Sequence, residues 1–261
     1  MYIDRKNIVF GLDYQASKKL IVHNPTLSEI FAYGEDRYIQ DISAIIMRPY
    51  DAAVFLYDLG KDYRDVDNFE FFYTFGYQMV SADCILFPGV NITEFNVGIN
   101  QGTGEYVLYN EEIVVDKIVY TKIVSAIREF HFLPDKVFIN PGSKYALKVW
   151  VKQQKEKMKR DAKKKRPEFS YADIISSLVN LSGFKYNYDT VRDIHISQLL
   201  DSFYRQNKII EYQNIMNGLF SGNLDHDKID IEDISWFSKI DLKKQSNTNQ
   251  TFIDGGSSSP S

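Results

Sequence analysis

The spacing of apolar residues divides the chain into helical stretches interrupted by one segment of period two. Lys19–His23 has the β-branched character of a short strand, closed by Asn24 and Pro25. Pro25 suits the first turn of a helix, with Glu29 placed to help cap it and Leu27, Ile30, Phe31 and Tyr33 on its apolar face. From Glu35, residues Tyr38, Ile39, Ile42, Ile45 and Ile46 recur at three-and-four spacing and predict a second helix, which Pro49 ends. Asp51 is placed to cap a third helix, and Asp67 with Asn68 a fourth that carries Phe69, Phe72, Tyr73 and Val80. Between Asp83 and Val115 the period falls to two. Asp83–Phe87, Asn91–Val97 and Glu105–Tyr109 predict a small antiparallel unit, with turns at Pro88-Gly89 and around Gly102-Thr103-Gly104. Asp116 starts another helix, with Ile118, Val119, Ile123, Ile127 and Phe130 inward, which Pro134 terminates.

The next segment changes character. Lys144–Arg166 predicts one helix with an apolar stripe at its start (Tyr145, Leu147, Val149, Trp150, Val151) and almost none from Gln153 onward. Beyond it, Ser170 caps a helix through Ser182, and residues 189–193 make a short turn of helix. A long helix then runs from Ile194 to Phe220, with Ile196, Leu199, Leu200, Phe203, Tyr204, Ile210, Tyr212, Ile215, Met216 and Leu219 on its inner side. Trp236 follows an acidic stretch as an apolar anchor. The pattern predicts a mostly α, α+β protein. It comprises a helical N-terminal domain at 1–143 with a β unit at about 83–115, a basic linker helix at 144–167, a helical C-terminal domain at 168–242, and a disordered tail at 243–261 rich in Gly and Ser.

Composition adds limits more than identities. The 261 residues are 44% hydrophobic and 25% charged, close to the average of globular proteins, and the longest apolar runs are too short to cross a bilayer. No charged segment followed by an apolar stretch opens the chain, so no signal peptide is visible. The lone Cys84 fits a reducing compartment. The 18 Tyr and 18 Phe fit both an AT-rich coding bias and contact surfaces that are half apolar, half wet. Lys144–Arg166 holds 11 basic residues against Glu156 and Asp161. That stretch therefore carries +9 in a chain of −4, leaving −13 for the rest.

Tests for chemistry come back empty. Cys84 sits in an apolar run; His23, His131, His195 and His226 lie in separate segments, and no Gly-x-Ser-x-Gly elbow occurs. Asp225, His226, Asp227, Asp230, Glu232 and Asp233 gather metal donors. They lack the ligand order of a calcium loop and the extra close ligands of a zinc site, and read as a solvated acidic turn. Gly102-Thr103-Gly104 leads into a strand, not the helix of a phosphate loop. No enzyme activity, cofactor or metal is expected. Nucleic-acid binding through 144–166 remains an alternative, and the sites expected to meet a partner are Lys155, Lys157, Lys159, Arg160, Lys163, Lys164, Lys165, Tyr204, Tyr212 and Trp236.

The second half also resembles a known group. Tyr171–Leu178, Asp193–Phe203, Leu219–Gly222 and the late Trp236 after an acidic stretch look like the helical tail assembly chaperones of tailed phages of Gram-positive bacteria, mainly over 170–240. The short strand Lys19–His23 and the run Ile46–Asp51 resemble their front half. Residues 83–115 depart from that pattern as an added β unit, and the chain is long for the group. The resemblance implies binding of tape-measure and tail-tube proteins without catalysis or membrane attachment. The host cytoplasm during assembly, or the virion, is the place it implies.

Overall fold

The computed structural model of the chain describes residues 4–134, 141–162, 170–222 and 235–236. They form a mostly helical α+β fold. A short helix, α1 (Arg5–Val9), leads into a hairpin of β1 (Tyr14–Ser17) and β2 (Leu20–Val22), in which Tyr14 pairs with Val22. Periodicity gave no hint of β1, because Ala16 is its one buried residue. Helices α2 (Leu27–Tyr33) and α3 (Glu35–Ile46) follow. Pro25 lies just outside α2 and not in its first turn, since Thr26 is the N-cap: its hydroxyl accepts from the Glu29 N–H, and Glu29 reaches back to the Thr26 N–H at 2.7 Å. This reciprocal cap satisfies two donors that a bare helix start leaves open.

The third predicted helix is α4 (Ala53–Asp58), but Asp51 does not cap it. That carboxylate turns back to Arg48, accepting from its Nε at 3.3 Å. Asp67 does cap α5 (Asn68–Phe71), which runs on into a wide π turn at Phe72–Gly76.

The β unit is smaller than the sequence predicts. Only β3 (Asn96–Ile99), β4 (Tyr106–Tyr109) and β5 (Val114–Val115) pair, antiparallel in that order, with the β3–β4 hairpin turning through the predicted Gly102–Gly104 loop. The expected strand at 83–87 is a chain of turns, and 92–94 is a 3₁₀ turn. Cys84 donates to the Ser81 carbonyl, Phe87 to Cys84 and Val90 to Phe87, so the backbone closes on itself every three residues. Cys84, Leu86 and Phe87 are all buried, and such a continuous apolar run reads as a strand while folding as a lining loop.

Asp116 caps α6 (Lys117–Phe130) as predicted, accepting from the Val119 N–H at 2.7 Å. Just past its end Phe132 takes a left-handed conformation, φ 51°, where glycine is usual. Its ring is buried against Tyr204, 5.3 Å between centroids, which holds that backbone in place. Three more helices complete the described residues: α7 (Lys144–Asp161), α8 (Tyr171–Val179) and α9 (Ile196–Phe220). Ser170 and Asp173 cap α8 reciprocally, and the helix stops at Val179, short of Ser182.

One apolar cluster takes Leu20 and Val22 from β2, Ile30 from α2, Tyr38 and Ile45 from α3, and Ile123 and Phe130 from α6. It continues into Ile175 and Leu178 of α8 and Ile196 and Leu199 of α9. The residues before and after the basic helix therefore share one interior. A second, smaller cluster packs Leu147 and Val151 of α7 on Ala53 and Leu56 of α4, with Tyr63 and Phe71.

The starts of α2 and α9 clasp each other. The Leu27 N–H donates to the Ile194 carbonyl at 3.0 Å and the Ile196 N–H to the Pro25 carbonyl at 2.9 Å. Buried Asn24 donates to the Ser197 hydroxyl at 2.8 Å, and that hydroxyl donates to the Ile8 carbonyl at 3.1 Å. Gly11, at φ +66°, lets the backbone pass under the His195 ring; a Cβ there would lie 2.2 Å from the imidazole.

Candidate partner-binding surface

The residues with reactive potential are spoken for inside the fold. Burial pushes the Cys84 thiol up to about 12, which removes the thiolate that a nucleophile needs. His131 is buried beside Tyr38. One ring nitrogen lies 2.6 Å from the Ile127 carbonyl and the other 2.6 Å from the Tyr38 hydroxyl. With Nδ1–H donating to the carbonyl, Nε2 accepts from the phenol, and burial lowers the imidazole pKa to about 4. The ring of His23 sits between Asp13 at 2.8 Å and Glu29 at 3.4 Å, tying the end of β2 to α2. His195 donates through Nδ1 to the Asn24 carbonyl at 2.5 Å. His23 and His195 both meet the stretch at Asn24, whose N–H donates to Asp13 and whose carbonyl takes His195. His226 and the acidic stretch at 225–233 lie outside the described residues, as does the tail at 243–261. Among the described residues no group of His, Cys, Asp and Glu has the arrangement of a metal site, and no helix is long and apolar enough to cross a membrane.

The sites expected to meet a partner fall on two helices. On α7, Lys157, Lys159 and Arg160 are exposed, while Lys155 is tethered to Asp58 of α4 at 2.5 Å. Lys163, Lys164 and Lys165 lie outside the described residues. The start of α7 is docked, though not through every residue of its predicted stripe. Leu147 and Val151 are buried, but Tyr145 is 78% exposed and Val149 faces solvent. At 100° per residue these two sit on the far side of the helix from Leu147 and Val151, so an apolar count alone overstated the inner face. Trp150 is a packing anchor, its ring 5.4 Å from Tyr50 and 5.7 Å from Tyr63. Its indole N–H is buried without an acceptor.

On α9 the expected residues separate. Tyr204 is part-buried, turned inward onto Phe132 and Phe203 against the edge of the core, and burial raises its phenol pKa. Tyr212 is half-exposed on the distal half. Trp236 is half-buried, and its backbone carbonyl accepts from Arg205 of α9. Ile210, expected inward, is 42% exposed, and Phe220 is 83% exposed. Every buried residue of α9 lies between Ile196 and Leu200; from 201 to 220 none is buried, although that stretch holds Ile209, Tyr212, Ile215, Met216 and Leu219. Only Asp201, Arg205, Lys208 and Glu211 are charged over the same twenty residues. Beyond its locked first turn the helix thus carries part-exposed apolar side chains among polar ones, with few charges.

The β3–β5 sheet adds a polar feature. Glu94, Asn96, Tyr109, Asn110, Glu111 and Glu112 line a hollow of about 460 Å³, and Lys19 reaches Glu112 at 3.2 Å. Periodicity gave no sign of it, because its residues come from a turn, two strands and a loop.

Comparison with curated proteins and with solved structures returns no match. Residues 162–241, which hold α8, α9 and Trp236, match the family described as the YomV second domain, and this match to less than a third of the chain marks that stretch as a phage-associated domain.

Proposed function

We propose that this chain is a non-enzymatic phage protein that works through protein contacts in tail assembly, either as an assembly chaperone or as a component of the virion. The observation that carries the reading is the distal half of α9. It extends past the shared core with apolar residues part-exposed and few charges, inside the stretch with the phage-associated match. Such a surface suits reversible cover of another helix, because it offers apolar area without a rigid pocket. The partners on this reading are the tape-measure and tail-tube proteins, met in the host cytoplasm during assembly.

Co-expression with each of these two proteins, followed by pull-down on the full chain, tests it. Retention of either partner by the native chain, and its loss in an Ile210→Asp, Phe220→Asp variant whose melting temperature is unchanged, is the expected result. If neither partner is retained, the reading is wrong.

A further inference from the structure

The lysines of α7 are not spread evenly around it. With 3.6 residues per turn, Lys144, Lys148, Lys152, Lys155 and Lys159 fall within an arc of about 80°, and at 1.5 Å per residue they form a row about 22 Å long. Lys157 and Arg160 point elsewhere around the helix. The row flanks the face that Leu147 and Val151 bury on α4, so its direction is fixed by packing and not left to a floppy arm. Carboxylates meet it at two places: Asp58 takes Lys155, and Asp62, itself bound by Arg64, faces the Lys144 end. Glu156 borders the row one turn from Lys152 and Lys159, whereas Asp161 lies off it. Lys148, Lys152 and Lys159 are exposed, as is Lys144.

The geometry points to a docking surface for the phosphate backbone of duplex DNA, along which this row lies without reading bases. A duplex carries one charge per roughly 1.7 Å of axis with both strands counted, so a straight row of about 22 Å has several phosphates within reach where it lies across the backbone. Charge complementarity is local: the row is cationic although the chain as a whole is −4. Lysine, a hydrated point charge on a flexible stem, suits backbone contact and not bidentate recognition of base edges. A rigid row matches a stiff duplex better than a single strand, whose phosphates have no fixed line. This surface is independent of the α9 contact proposed above.

Fluorescence anisotropy with a 20-base-pair duplex, its single strand, and an RNA of the same sequence tests the inference on the full chain. With four lysines in contact, duplex affinity falls about 100-fold between 50 and 200 mM salt. Lys148→Gln, Lys152→Gln, Lys159→Gln together flatten the salt slope by about three, whereas Lys157→Gln with Arg160→Gln leaves it within about one of the native value. Circular dichroism melts verify that both variants are folded. Absence of duplex binding overturns the inference, as does preference for the single strand or RNA. So does an intact slope in the triple variant, including the case in which Lys163→Gln, Lys164→Gln, Lys165→Gln alone removes binding. Displacement of the duplex by polyglutamate at equal charge overturns it too, in favour of an acidic protein partner.

Discussion

Protonation of His131 should dictate how stability falls in mild acid. The ring is buried, its Nδ1–H spent on the Ile127 carbonyl and its Nε2 on the Tyr38 hydroxyl, so a second proton would strand a charge in the core and break the bond to Tyr38. The folded pKa is about 4 against an ordinary 6.5. Between those values the unfolded chain binds the extra proton and the folded one does not. The associated stability is therefore complete above about pH 6.5 and drains away as the pH falls toward 4, in total about 3 kcal/mol. Carboxylates held below their usual range, such as Glu29 and Asp67, lose their contribution only under about pH 5. In the interval from 6.5 to 5 those carboxylates are silent, and the His131 share, about 2 kcal/mol, is the difference between the native chain and a variant that lacks this ring. Urea unfolding at half-unit steps measures this directly. His131→Asn retains a donor for the Ile127 carbonyl and cannot titrate. It should be less stable than the native chain at pH 7.5 and should lack the native chain's decline between 6.5 and 5. Parallel declines in the two proteins would refute the reasoning, and so would a His131 ring resonance titrating near 6.5.

Two substitutions test the packing. Gly11→Ala should cost about 3 kcal/mol or more in urea unfolding, because it combines a left-handed backbone with a clash against His195, whereas Gly60→Ala, at φ +75° with open space around it, should cost about 1–2 kcal/mol. Equal losses would mean that the ring is not seated on Gly11. Trp150→Phe should change stability by less than about 1 kcal/mol, since the lost ring area is offset by removing an indole N–H buried without an acceptor. Trp150→Ala should cost about 3–5 kcal/mol, and a Phe variant as unstable as the Ala one would show that the N–H is satisfied.

Sequence made the helix starts readable because a cap is local chemistry: Glu29, Asp67, Asp116 and Ser170 all act within three residues of where their type places them. It failed where burial is continuous. Cys84 to Phe87 looks like a strand because apolar side chains alternate no more in a buried loop than in a buried strand, and only the i to i+3 hydrogen bonds distinguish them. The partner surface was half legible. The basic run on α7 was plain, but which lysines align depends on helix phase, and Asp58 removes Lys155 from the exposed set. Ile210, expected inward with Tyr204, faces out because α9 has no buried residue after Leu200, a point that no periodicity marks.

The clasp between the openings of α2 and α9 has a corollary for the matched stretch. Residues 162–241 correspond to a recognisable family unit, yet Ile196 and Leu199 rest on side chains from the front of the chain, and Asn24, Ile8 and Ser197 are knotted together by hydrogen bonds. Cut loose at residue 162, that unit would turn oily surface to water and leave the Ser197 hydroxyl without Asn24 and Ile8. Residues 162–241 therefore hold this arrangement only beside the bed that receives them, the socket that Leu27 and Gly11 form under the opening of α9.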